Sequence, residues 1–300
     1  MSGTAMRDGE LLRREVIAAA LHARAEMLGG SIHLEELSDF QLPDGSRLRL
    51  IDGGGGGIWN PRDFEATLAI TTSADGPYQD REAEGGLLHY AYQRGSIQGK
   101  NAKLRRAIEL RLPVIRFTKV RPNYYMPTYP VWVIDDNPII GEFTLALDEQ
   151  IRSVPTEHEM SPIEKAYAAR LVRQRVHQPA FRAQVMLAYD RQCAVCVLKH
   201  VELLDAAHII EDGDSWGDAI ITNGLSLCKI HHAAYDRKFL GISPDYTVHI
   251  NQRLLDEVDG PMLKHGLQEM NGRVLHLPQS RRDRPDRDRL AARFEVFRSA

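Results

Sequence analysis

Cysteine is scarce in this 300-residue chain. The three present, Cys193, Cys196 and Cys228, lie in one short segment. An odd and clustered set excludes a disulfide framework, which needs pairs spread along a small secreted chain. Also missing is any apolar run of the roughly 18 to 20 residues that crosses a bilayer, and the opening MSGTAMRDGELLRRE has no apolar stretch of the signal-peptide kind. The expected setting is cytoplasmic, without a membrane. Strong charge of either sign is absent too: the formal net charge is −3, so any surface for a polyanion has to be local. What is present is 43% hydrophobic content, enough for two ordinary cores in a chain of this length.

Gly9 to Leu28 carries apolar residues at helical spacing and stops at Gly29-Gly30, which predicts a helix. From Ser31 to Asp148 the pattern changes to short apolar or alternating runs, such as Thr67 to Thr72, Val114 to Val120 and Val131 to Ile134. Turn signals at Gly53 to Gly57, Asp75-Gly76-Pro77 and Arg121-Pro122-Asn123 separate them, so this part reads as a mostly β domain, a small barrel, with one helix at Asn101 to Leu112. Pro155, Pro162 and acidic residues place a junction between Asp148 and Pro162. A helix is expected from Ile163 to His177, and Pro179 opens another that runs to Tyr189. The segment RRDRPDRDRLAARF reads as a solvated helix or a partly disordered tail. The expected organisation is α+β: a β-rich domain over 1–150, a helical connector over 151–188 and a second domain over 189–300.

The cysteines make chemical sense with a histidine. CAVC at Cys193–Cys196 and CKIH at Cys228–His231 are chelating pairs with matched gaps, and Cys3His closes a tetrahedral zinc site of the structural kind. His200 is a rival fourth ligand, but its position after the first pair reads better as solvated loop. Between the pairs, LLDAAHII is a short apolar strand holding His208, and a histidine so placed is, on its own, more often packed than functional. Asn223 and His232, in NGLSLCKIHHAAYD, change that balance. Adjacent helical residues point about 100° apart, so His231 and His232 serve different ions. Asp236, at i+4 from His232, shares its face, and Asp205 shares a strand face with Ala207. A histidine of ordinary pKa, about 6.5, can accept a proton from water near neutral pH, and a divalent cation can stabilise charge on phosphoryl and leaving oxygens.

LDAAHI, NGL and LCKIHHAAYD together resemble the HNH (ββα-metal) endonuclease family, in which two strands and a helix wrap one metal. The resemblance implies His208 as general base, Asn223 as the residue that orients it or the backbone, and His232 as a ligand of the catalytic ion, Mg²⁺, Mn²⁺ or similar. Asp236 is the proposed second ligand. Many family members carry Asp or His where this chain has Ala207, and Asp205 is the candidate to substitute there or to support from behind. Arg170, Arg173, Arg175, Arg182 and Arg191 are candidate phosphate contacts on double-stranded DNA; a solvated helix face explains them equally well. Upstream, GGGGGIWNP, TTSADGPYQD and RPNYYMPTYPVWV hold Trp59, Tyr78, Tyr124 and Tyr125, aromatics able to stack on an extruded base, though such residues are more often core. Domain order and the GIWNP and PVWV segments resemble modification-dependent restriction endonucleases, which join a PUA-like or SRA-like barrel to an HNH nuclease. That resemblance implies DNA carrying modified cytosine as substrate, and cutting two strands with one site per chain implies a homodimer. Two rivals stay open: an HNH homing or nicking enzyme for unmodified DNA, and a zinc-supported DNA-binding protein without catalysis.

Overall fold

The computed structural model describes residues 3–53, 57–73, 81–82, 87–93, 99–147, 149, 161, 166–167 and 170–300. The chain divides into two compact units, Met1–Ala180 and Phe181–Ala300. The junction expected between Asp148 and Pro162 lies almost wholly outside the described residues. No described helix is long and apolar enough to cross a membrane.

The first unit begins with helix α1 (Gly3–Met27), ended by Gly29 and Gly30 at positive φ. There follow β1 (Ile32–His33), helix α2 (Leu34–Ser38), β2 (Phe40–Gln41), β3 (Arg47–Leu48), β4 (Ile58–Trp59), β5 (Ala69–Ser73), β6 (Arg81–Glu82) and β7 (Leu87–Ala91). Helix α3 (Lys100–Leu110) then leads to β8 (Val114–Arg121), β9 (Tyr124–Asn137) and β10 (Glu142–Ala146). The main sheet has the order β4-β5-β8-β9-β10-β7-β6, with β1 on β9; β5 and β8 run parallel. Strand β9 is its spine: residues up to Val131 pair with β8 and those from Trp132 pair with β10, so one long strand passes from one half of the sheet into the other. Of the small barrel expected, the described residues form a curled half-barrel with β4 and β6 at its two ends.

Alternation sorts the two faces of this sheet. Ile115 and Phe117 of β8 pack with Ile17 and Leu21 of α1, while Val114 packs with Leu104 and Ala107 of α3. Arg14 of α1 is fully buried, and its guanidinium donates to the carbonyls of Ala66, Thr67 and Pro113 and to the Glu10 carboxylate. One side chain thereby ties the helix to the chain segments that precede β5 and β8.

The second unit contains α4 (Gln178–Ala188), the antiparallel pair β11 (Leu204–His208) and β12 (Gly224–Cys228), and α5 (Lys229–Asp236), which follows β12 without a break. A second hairpin, β13 (Leu240–Ile242) and β14 (Val248–Ile250), precedes α6 (Gln252–Asp256), α7 (Pro261–Gly266) and α8 (Arg287–Arg298). Its core gathers Phe181, Val185, Leu204, Leu225, Leu227, Tyr235 and Leu290. The arginine-rich carboxy-terminal segment forms a helix, one of its two expected states, but packed along one face rather than solvated all round. Asp286 caps α8, Leu290 is fully buried, and a Cβ on Gly241 would come within 2.4 Å of the Phe297 ring. Leu290, Phe294 and Phe297 sit at helical spacing, so a helix that is charged on average still presents one apolar face.

Replacing Arg14 with Met should cost about 3–5 kcal/mol, because Glu10 and the carbonyls then stay buried without their cation. The check is the urea midpoint of unfolding, and an unchanged midpoint would contradict this account of α1.

Candidate active site

Two turns meet at one point in the second unit. Cys193 and Cys196 follow α4, Cys228 ends β12 and His231 lies in the first turn of α5; their four donor atoms are all within 4.8 Å of one another. The sulfurs of Cys196 and Cys228 are 4.0 Å apart, close to the about 3.8 Å that a tetrahedral ion with Zn–S bonds of about 2.3 Å requires. His231 Nδ1 stands 3.1 Å from Cys228 Sγ and 3.5 Å from Cys193 Sγ. Across the ring, Nε2 donates to the Gly266 carbonyl at 2.8 Å, which keeps the proton there and leaves the Nδ1 lone pair for an ion. Hydrogen bonds from Cys193 and Cys196 draw the Cys228 thiol down, and hydrogen bonding with Cys193 and Cys228 pushes Cys196 up. A divalent ion bound there would let all three cysteines ionise. The group could hold a metal ion, and its soft donors suit zinc. His200 is exposed and outside the cluster.

His208 ends β11, opposite Gly224. Its ring stacks on Phe181 of α4 with centroids 4.1 Å apart and planes inclined by 19°. Burial holds the imidazole below its ordinary pKa; Asp212 works against this and the charge of His232 adds to it. His208 shares β11 with Asp205, which bonds His232, so the two histidines lie in one neighbourhood. Asn223, fully buried, does not reach the imidazole. Its Oδ1 accepts from the Ile210 N–H at 2.9 Å, and its Nδ2 donates to the Ile210 and Asp218 carbonyls, both at 3.0 Å. Its own carbonyl accepts from Ile209 at 2.9 Å. The asparagine thus staples the backbone just past His208 to the start of β12.

His232 lies between two carboxylates, with Nδ1 3.1 Å from Asp205 Oδ2 and Nε2 3.4 Å from Asp236 Oδ2. The other oxygen of Asp205 accepts from Lys229 Nζ at 2.5 Å, and Arg182 is 3.9 Å away. Burial opposes the charge on Asp205, but hydrogen bonds from Lys229 and His232 outweigh it and hold the carboxyl below its ordinary pKa. Surrounded by cations, Asp205 suits an acceptor for His232 Nδ1–H better than a metal ligand, and His232 Nε2 with Asp236 forms the two-donor edge. Among the described residues only the Cys3His cluster gathers three or more such donors at one point.

Arg175 donates to the Tyr129 and Pro130 carbonyls at 2.7 and 3.2 Å, and Arg182 to that of Leu204 at 2.7 Å. Arg170 and Arg173 are exposed and Arg191 is half-buried. In the β-rich unit, Trp59 donates to the Arg49 carbonyl at 2.7 Å, Tyr124 stands edge-on to His33, and Tyr125 is half-buried against the α1 core. Tyr78 lies outside the described residues. Trp59 and Tyr125 are therefore on the α1 side of the sheet. The opposite side carries Thr72, Thr118, Arg116 and Thr128, with Thr72 beside Thr118 and Arg116 beside Thr128. The hydroxyls of Thr72, Thr118 and Thr128 are buried and bond to nothing among the described residues. Sequence reasoning missed this polar row, although alternation along Ile115 to Thr118 was the signal for it. It also missed Lys229 and Phe181, which read as filler in C-x-x-H and as one more apolar helix residue.

Residues 193–243 match the model of a family described as HNH endonuclease, and this stretch contains the Cys3His cluster, His208, Asn223, His232 and Asp236. No curated protein matches the chain. A solved structure described as a modification dependent TagI restriction endonuclease is 18% identical over 80% of this chain and 84% of its own. Its TM-score of 0.27 is too low a likeness to bear on fold or activity.

Cys193→Ser and Cys228→Ser should each lose bound zinc and unfold the second unit, since metal affinity is folding energy in so small a core; metal analysis with a thermal melt reads both, and an unchanged melt would contradict it. Asn223→Ala should cost about 1–3 kcal/mol by leaving buried backbone groups unmatched, seen as a lower unfolding midpoint.

Proposed function

We propose that this protein, through the HNH endonuclease domain that residues 193–243 mark, hydrolyses DNA phosphodiesters with one divalent metal, and that its β-rich unit directs it to modified cytosine. One observation carries the nuclease reading. A neutral histidine at a strand end, His208, shares its surroundings with a histidine–carboxylate pair in a helix, His232 and Asp236, and the same hairpin and helix build the Cys3His cluster.

His208 accepts the proton of the attacking water, and its lowered pKa keeps it unprotonated at neutral pH. As the water oxygen bonds to phosphorus the bond to the 3′ oxygen breaks, and negative charge grows on the phosphoryl and leaving oxygens. A divalent cation, Mg²⁺ or Mn²⁺, supplies when bound the stabilisation of that charge. His232 Nε2 and Asp236 would hold it. Asp205 retains the Nδ1 proton of His232 and so presents the Nε2 lone pair. Asn223 acts at one remove by fixing the backbone at Ile209 and Ile210. Cys193, Cys196, Cys228 and His231 would bind zinc and take no part in the chemistry. Arg170, Arg173, Arg175, Arg182 and Arg191 are the arginines proposed to meet phosphates.

Phosphate chemistry reads no base, so target choice falls to the β-rich unit. Its curled sheet supports a PUA-like or SRA-like reading, with Trp59, Tyr78, Tyr124 and Tyr125 as stacking candidates and the threonine row as a hydrogen-bonding face. A single methyl enclosed in a pocket discriminates by about 1–3 kcal/mol. With one site per chain, cutting both strands calls for a homodimer on DNA.

A supercoiled plasmid with Mg²⁺ or Mn²⁺ should be nicked by the wild type and not by His208→Ala; a fully active variant sinks the assignment. His232→Ala should be inactive yet keep its zinc, whereas zinc loss would reverse the roles of the adjacent histidines. Because the His208 pKa is lowered, the accepting form persists as pH falls, so the acid limb of cleavage should lie below about 6.5, the ordinary imidazole value. Methylated plasmid should be cut faster than its unmethylated match; equal rates would remove modified cytosine and leave the nuclease standing.

A further inference from the structure

We propose that Phe181 is the positioning residue of His208, and that Gly224 is a glycine because Val185 and the Phe181 ring have to pass over it. The inference rests on His208 being the general base. Strand register sets His208 directly opposite Gly224, and α4 crosses the hairpin at this pair. A Cβ on Gly224 would lie 2.5 Å from Val185 Cγ2 and 3.0 Å from the Phe181 ring. The backbone at Gly224 has φ −119°, which any residue adopts, so the requirement is space and not conformation. From just beyond the C-terminal end of the same helix, the Tyr189 hydroxyl donates to the Gly224 carbonyl at 3.3 Å. Helix and hairpin are thus locked together where the strand pair carries the histidine.

The consequence is the parallel contact between Phe181 and His208, with 4.1 Å between centroids. The other two site histidines are each held by a hydrogen bond: His231 to the Gly266 carbonyl and His232 to Asp205. His208 Nε2 is buried with no such partner. The χ2 torsion of histidine is intrinsically broad, so without a bond the ring would swing and carry its accepting nitrogen with it. A flat apolar face against the imidazole removes that freedom without adding a hydrogen-bond acceptor that would favour its charged form. Phe181 lies before the stretch that matches the family model, so it is this chain's helix, not the matched segment, that holds the base in place.

The full-length protein provides the test, in single-turnover cleavage of a duplex with Mg²⁺, alongside DNA affinity, zinc content and melting temperature. Phe181→Leu should keep zinc and half-saturating DNA concentration but lose about 10- to 100-fold in the cleavage rate constant, the effect of a small misplacement at a reacting centre. Phe181→Tyr, which keeps the flat ring, should recover most of the rate, and Gly224→Ala, which displaces the ring, should lose it. If Phe181→Leu melts too early to assay, Phe181→Met fills the site with a flexible chain instead. Wild-type rates in the Leu or Met variant overturn the proposal, as does a Tyr variant that is as slow as they are. An unimpaired His208→Ala would remove the general base itself, and this proposal along with it.

Discussion

Four donor atoms drawn to within 4.8 Å of one another are the constraint on which the second unit depends. The two turns that supply them are far apart in the chain, and bringing them together places the end of α4 against the end of β12 and the start of α5. Everything the site needs is then counted from that anchor. Going back along β12 from Cys228, antiparallel register leads to Gly224 and across to His208. Going forward into α5, one residue beyond the ligand His231 is His232, turned by the helix toward Asp205 and Asp236.

Three histidines in the unit are held in three ways, and each holder matches what the ring has to do. A neutral carbonyl fixes the proton of His231 on Nε2 and frees Nδ1 for an ion. An ionised carboxylate does the reverse for His232, freeing Nε2 and raising its basicity as a ligand. An aromatic face backs His208, where burial lowers proton affinity and keeps the neutral form. Lys229, between Cys228 and the two histidines of α5, donates to the outer oxygen of Asp205 and neutralises its charge.

The β-rich unit solves a different problem. Its sheet is buried on both sides, yet one side carries threonine hydroxyls and a guanidinium in adjacent registers where apolar residues would pack at less cost. With a near-neutral net charge, any surface for a polyanion on this chain has to be local.

The amino-acid sequence by itself determined the features that are local. Matched C-x-x-C and C-x-x-H gaps name the ion's ligands because chelation acts over a single turn, and helical periodicity separates His231 from His232 because it is a property of the backbone. The spacing of LDAAHI, NGL and CKIHHAAYD carries the family resemblance for the same reason. Only the tertiary structure decided which partner each side chain finds across long sequence separations. It set Arg175 on the carbonyls of Tyr129 and Pro130, packed the arginine-rich α8 against Gly241, turned Asp205 toward His232, and laid Phe181 on His208. Those contacts depend on how whole elements pack, and composition or spacing along one element holds no record of the surface it will meet.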